Sequence, residues 1–176
     1  IFANCKSLKS LDLSNFDTSK VKDMSSMFAF CSSLEFLDLR NVDTSNVKSM
    51  WCMFSDCENL KSLDLSNFDT SQVEDMSCMF KECNCTKLDL SNFDTSNVKD
   101  MSGMFWGSDI DSNYDLCSSF DTRNVTNMKE MFYNSWHLNT IYVSDKFVTT
   151  KIVNSIDMFY NNLNLIGGNG TVWDIN

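Results

Sequence analysis

Aspartate and cysteine return in this chain at nearly constant intervals, and these side chains can hold a metal ion, close a disulfide or activate a nucleophile. Asp17, Asp43, Asp69 and Asp94 each follow Phe or Val and precede a Thr-Ser pair, and Asp121 holds the same place in a later copy. A second series, Asp12, Asp38, Asp64, Asp89 and Asp115, lies between alternating apolar residues. If the copies stack about 4.8 Å apart, like charges face one another along each series and something must offset them. A turn aspartate can accept the backbone N–H groups of its own turn, assisted by the Thr and Ser that follow. The sharper alternative is Ca²⁺ bound between copies by clustered carboxylate oxygens, with Asp17, Asp43, Asp69 and Asp94 as the ligands to test. The Gly-rich nonapeptide of calcium-binding β-rolls is absent, so turn hydrogen bonding is expected and no cofactor is assigned.

Cys5, Cys31, Cys57 and Cys83 are each 26 residues apart, Cys52 and Cys78 form a second series, and Cys85 and Cys117 stand outside both. An even cysteine count suggests disulfides in an exported protein. Ser108 and Ser135 take the cysteine place in later copies, which points to a position that wants a small buried residue, so buried free thiols are expected. Stacked Cα atoms fall within the 4.4–6.8 Å that a bridge needs, so Cys5–Cys31 and Cys57–Cys83 bridges stay open. One histidine, His137, and no C-x₂-C pair leave structural zinc without its usual spacing.

Catalysis finds no constellation. His137 sits beside Trp136 in a degenerate late copy, and the many carboxylate pairs are imposed by the repeat. No phosphate-cradling glycine motif occurs. The chain is therefore expected not to be an enzyme. Threonine recurs at Thr18, Thr44, Thr70, Thr95, Thr122 and Thr149, but with Asp and Ser beside it rather than a second Thr series, which argues against an ice-binding face. Irregularity points elsewhere. Trp51, Trp106, Tyr133, Trp136, Tyr142 and Tyr160 stand where most copies carry smaller or more polar residues, and the segment from Trp106 to Tyr114 lengthens its copy. Trp106, Tyr133 and Trp136 are the candidate partner-binding residues, since exposed aromatics often anchor protein partners. The alternative is that they cover the weaker C-terminal copies.

The elements that must position these residues follow from the repeat. Met-Phe pairs begin at Met27, Met53, Met79, Met104, Met131 and Met158, spaced 26, 26, 25, 27 and 27. Within a copy, Leu11-x-Leu13 alternates like a strand with one buried face, and Val21, Met24, Met27, Cys31 and Leu34 then recur every three or four residues. The expected fold is an α/β repeat solenoid of leucine-rich-repeat type, a right-handed coil with one short parallel strand and one short helical or 3₁₀ segment per copy. The expected division is one domain over 1–176: a partial copy at 1–7, copies at about 8–33, 34–59, 60–84, 85–111, 112–138 and 139–164, and a closing cap at 165–176 holding three of the five glycines. Because Ile1-Phe2 and Cys5 occupy mid-copy places, the chain reads as part of something longer.

Composition narrows the partners. The net charge is −10 and no basic cluster occurs, which disfavours nucleic acid. No apolar run approaches 18 residues, so no membrane-spanning segment is expected, and no signal peptide is visible.

The unit L-x-x-L-D-L-S-N-F-D-T-S-x-V-x-x-M-x-x-M-F-x-x-C, nearly complete over Leu11 to Cys31, Leu37 to Cys57 and Leu63 to Cys83, resembles that of the BspA-like leucine-rich-repeat surface proteins of bacteria. The tail from Gly167 to Asp174 also looks like the way such arrays close. The resemblance implies an extracellular bacterial protein anchored to the cell wall or by a lipid, and as a fragment the chain is expected to be a monomer. It further implies adhesion to extracellular-matrix or other cell-surface proteins. The competing role is a stiff spacer that projects another domain from the cell wall, favoured by the near-invariance of the columns within this chain. The departures from the unit fall in the later copies, where cysteine is lost and a residue is inserted.

Overall fold

The Leu-Asp-Leu alternation folds into short extended pieces that pair between copies. The computed structural model describes residues 1–109 and 117–165, so Asp115, Tyr114 and the expected cap beyond residue 165 lie outside the described residues. Among the described residues four strands of two residues each form: β1 (Ser10–Leu11), β2 (Phe36–Leu37), β3 (Ser62–Leu63) and β4 (Lys87–Leu88). β1 runs parallel to β2 with Leu11 opposite Leu37, and β3 parallel to β4 with Leu63 opposite Leu88, so there are two separate two-stranded sheets. The leucines of β2, β3 and β4 are buried, while Phe36, Ser62 and Lys87 face out, as a period of two requires.

A second ladder is longer. Single parallel bridges join Asp23 to Ser49, Ser49 to Asp75, Asp75 to Asp100, Asp100 to Asn127 and Asn127 to Asn154. Copies thus stack in register through most of the chain, with successive partners 25 to 27 residues apart.

The expected helical or 3₁₀ segment is a correction: no helix occurs among the described residues, and the Met-Phe region is a run of turns. The reason lies in where the N–H groups go. In the copy around Met27, the N–H groups of Met27, Ala29 and Cys31 donate to carbonyls three residues back. Those of Met24, Ser26, Phe28 and Phe30 donate instead to Ser49, Trp51, Met53 and Ser55 of the next copy. Residues in left-handed backbone, four apart, break the helical path: Ser26 and Phe30, Cys52 and Asp56, Cys78 and Glu82, Gly103 and Gly107, Glu130 and Asn134, Asp157 and Asn161. Turns closed over three residues bring apolar side chains inward every third or fourth position, which is the spacing a 3₁₀ helix shows.

The core is a set of columns. Phe2, Phe28, Phe54, Phe80, Phe105, Phe132 and Phe159 stack ring on ring at 5.4 to 5.9 Å, with planes 6° to 14° apart. Such spacing is an offset stack, favoured over a face-to-face sandwich. Met50, Met53, Met76, Met79, Met101, Met104, Met128 and Met131 fill the space around the rings and are fully buried, a use that suits an unbranched, adaptable side chain. Cys85 and Cys117 find their places here. Cys85 lies before Leu88 as Leu34 and Leu60 lie before Leu37 and Leu63, and Cys117 closes the turn with Phe120 as Leu13 does with Phe16.

Candidate functional site

The four candidate calcium residues lie along one exposed edge, and the carboxylate of each is engaged by its own turn. Asp17 Oδ1 accepts the Ser19 N–H at 3.0 Å and its hydroxyl at 2.6 Å; Asp43 Oδ1 accepts the same pair from Ser45 at 2.9 and 2.7 Å. Asp69 and Asp94 accept the N–H of Ser71 and Ser96, each at 2.9 Å. The serine hydroxyl, and then the N–H, hold the Asp17 and Asp43 carboxyls below the usual range. The Asp12 series uses the same turn: Ser14, Arg40, Ser66 and Ser91 each donate an N–H to the aspartate two residues back. Arg40 adds its guanidinium and holds Asp38 down to about 2. Among the described residues, no three His, Cys, Asp or Glu side chains come together as an ion would need.

Of the threonine series, Thr18, Thr44, Thr70, Thr95 and Thr122 sit inside, and Thr149 is exposed. Thr70 Oγ1 accepts the Asp94 N–H at 2.8 Å and donates to the Asp94 carbonyl at 3.0 Å; Thr44 serves Asp69 and Thr95 serves Asp121 in the same way. Thr44, Thr70, Thr95 and Thr122 are buried.

The cysteine column has a chemical rule. Cys31 and Cys57 donate their thiols to the carbonyls of Phe2 and Phe28, each at 3.2 Å. In later copies the Ser108 hydroxyl donates to the Phe80 carbonyl, Ser135 to Phe105 at 2.7 Å and Asn162 to Phe132 at 2.6 Å. The position wants a small buried donor, and all eight cysteines are free thiols. Burial pushes the Cys57 thiol up to about 12 and raises that of Cys31, which makes them poor nucleophiles. Cys52 and Cys78 belong instead to the first left-handed column, with Ser26 and Gly103.

The three aromatic candidates separate. Trp106 and Tyr133 belong to one column beside the phenylalanine stack. Lys81 Nζ lies 3.6 Å from the Trp106 ring centroid, Trp106 meets Tyr133 edge-on at 5.4 Å, and Tyr133 stacks on Tyr160 at 4.9 Å. Ala29, Ser55 and Lys81 hold this place in earlier copies, so the column turns aromatic only in the later ones. Trp136 stands outside it, 56% exposed. With Glu82, Asp109, Asn134 and His137 it lines a cleft of about 300 Å³. Trp51 and Tyr142 are also exposed but belong to neither group.

His137 Nε2 lies 3.2 Å from Asp109 Oδ1. The Ser108 hydroxyl, which lines the cleft, donates to the Phe80 carbonyl, so it is not placed as a nucleophile for His137. Sequence reading missed Lys81, Glu82 and Asp109. The signal that finds them is column alignment: Lys81 precedes Trp106 by the same 25 residues as separate Phe80 and Phe105, and Glu82 precedes Gly107 likewise.

The family described as "Mycoplasma protein of unknown function, DUF285" matches residues 1–116 and again 83–176, so its matches together span the chain. No curated protein matches. Among solved structures, a leucine-rich repeat protein from Bacteroides ovatus ATCC 8483 is similar, with a TM-score of 0.44 and 18% identity over 94% of this chain. The chain spans 40% of the length of that protein.

Proposed function

Because the chain belongs to the family described as Mycoplasma protein of unknown function, DUF285, a description that assigns no activity, we propose from its own geometry that it is a non-enzymatic, protein-binding module of a bacterial cell surface. In this reading the copies form one continuous right-handed solenoid over 1–176, and adhesion to extracellular-matrix or neighbouring-cell proteins is its role. The observation that carries it is the exposed Trp136 at the edge of a cleft, on a chain otherwise built from nearly uniform columns. An exposed indole held by a rigid array supplies contact area at low entropic cost, which is what a binding anchor needs. No helix among the described residues is long and apolar enough to cross a membrane.

The test is binding of the chain to immobilised fibronectin, fibrinogen and other matrix proteins, beside Trp136→Ala. Saturable binding that the variant loses supports the reading. Trp106→Ala and Tyr133→Ala serve as controls that lower stability rather than remove a contact, since both rings are packed in a column.

The second reading, a stiff spacer, is favoured by the unbroken bridge ladder from Asp23 to Asn154. It expects no binding to any matrix protein and an elongated monomer by small-angle scattering.

A further inference from the structure

The cleft beside Trp136 has a chemistry more specific than a contact patch. Its floor carries Glu82, whose carboxylate lies directly on the backbone of Gly107: a Cβ at residue 107 would fall 2.6 Å from Glu82 Oε1 and 2.8 Å from Oε2. Gly107 also has a φ of +64°, so a glycine there serves both the backbone and the carboxylate above it. Among the described residues this carboxylate has no ion pair and no side-chain hydrogen bond. The neighbouring cation, Lys81, is placed over Trp106. Partial burial, with the Asp56 charge, raises the Glu82 carboxyl above its ordinary value, as expected of an anion that lacks a partner.

The remaining groups lean one way. Asn84 donates one of its two amide N–H groups to the Glu58 carbonyl, and the Asn134 amide oxygen accepts from Asn161. The side chains that line the cleft beside Trp136 include two carboxylates, Glu82 and Asp109, and no lysine or arginine. His137, the other potential cation, is directed to Asp109. The site therefore carries two carboxylates, one of them unpaired, beside the exposed Trp136 indole, on a chain of net charge −10. An anion would be repelled, and a neutral sugar, though it could use the Asn84 and Asn134 amides, would leave the Glu82 charge without a counter-charge. A guanidinium brings five donors in a plane and stacks on an indole, which an ammonium does less well.

We propose that this cleft is a receptor for an arginine side chain of a partner protein, the guanidinium meeting the Glu82 carboxylate with its plane against the Trp136 ring. The inference rests on the protein-binding reading above and names the side chain through which that binding is made. It also predicts which surfaces are bound: those that present an arginine free of its own carboxylate partner.

The test uses the whole chain and N-acetyl-arginine amide, followed by the indole N–H resonances in two-dimensional NMR, with Trp136→Phe to assign the reporting signal. The same titration is made with the citrulline, lysine and N-acetylglucosamine counterparts. Saturable arginine binding is expected, with citrulline about 10-fold weaker or more because the charge-assisted bonds are lost. Glu82→Gln and Trp136→Ala are each expected to weaken arginine binding roughly 10-fold; both residues are exposed, so the fold is kept. Citrulline or N-acetylglucosamine binding as well as arginine, or arginine binding unchanged in Glu82→Gln, overturns the proposal. The matrix panel separates the two claims. A matrix protein bound equally by wild type and Glu82→Gln, with no competition by the arginine amide, overturns the arginine receptor and leaves the binding module. Arginine binding with no matrix protein bound supports the receptor and removes the matrix-adhesion reading.

Discussion

A buried hydroxyl that serves two backbone groups of the next copy is the smallest unit of cohesion here. Thr70 satisfies both the N–H and the carbonyl of Asp94, so Thr70→Val keeps the shape but strands a buried donor and acceptor. It is expected to cost about 1–3 kcal/mol in urea denaturation, while Thr70→Ser keeps most of the stability. The aspartates act from outside. Asp12, Asp17, Asp23, Asp38, Asp43, Asp64, Asp89 and Asp121 all have carboxyls held below their ordinary value by hydrogen bonds from the residue two further on. A folded-state value below the unfolded one means that their contribution is in place above the unfolded value of 3.8 and is lost as pH falls through the folded values, with Asp38 the last at about 2. The urea midpoint is therefore expected to be insensitive to these groups above about pH 5 and to fall steadily from pH 4 to pH 2. A midpoint that held steady to pH 2 would remove these carboxylates from the account of stability.

At the scale of the element, the turn run depends on residues that tolerate left-handed backbone. Gly103, at φ +58° and with Cys78 Sγ 3.0 Å from where its Cβ would lie, is the tightest place after Gly107; Gly103→Ala is expected to cost about 1 kcal/mol or more, read as a lower melting temperature. The cysteine column sets a different rule: Cys57→Ser keeps the donor to the Phe28 carbonyl and is expected to be closer to wild type than Cys57→Ala. Reading the sequence located these columns better than it described their backbone. The Met-Phe pairs and the Leu-Asp-Leu pieces were legible because every copy repeats them. The helical reading failed because spacing reports which side chains turn inward, not where the N–H groups of Ser26 and Phe28 go. The Asp23 ladder was hidden because Ser49, Asn127 and Asn154 stand in for aspartate there, each offering an oxygen of similar reach. The cleft was illegible for the opposite reason: Glu82 shares a column with Asn4, Phe30, Asp56, Gly107, Asn134 and Asn161, and no residue type marks it. Of the three aromatic candidates, the sequence could not tell a ring packed on Tyr133 from one left open, because both departed equally from the repeat.

Across the whole molecule, each copy touches its neighbours above and below, so loss of a central ring is felt on two sides and loss of a terminal one on fewer. Phe80 is fully buried between Phe54 and Phe105, whereas Phe159 is half-buried and stacks on Phe132. Phe80→Ala is expected to cost about 3–5 kcal/mol, and Phe159→Ala clearly less, by chemical denaturation. The same in-register stacking bears on how such a chain can change over generations. The copies repeat a phenylalanine, a threonine and a small donor, and each meets an equivalent place in the adjacent copy rather than a distant, unique partner. Recombination between copies of the coding sequence that adds or removes a whole unit therefore leaves every surviving contact with an equivalent mate, and length becomes a trait that can drift without breaking the fold. The Trp136 cleft is the exception: assembled from residues of three consecutive copies, it survives only those exchanges that keep Glu82, Gly107 and Trp136 in order.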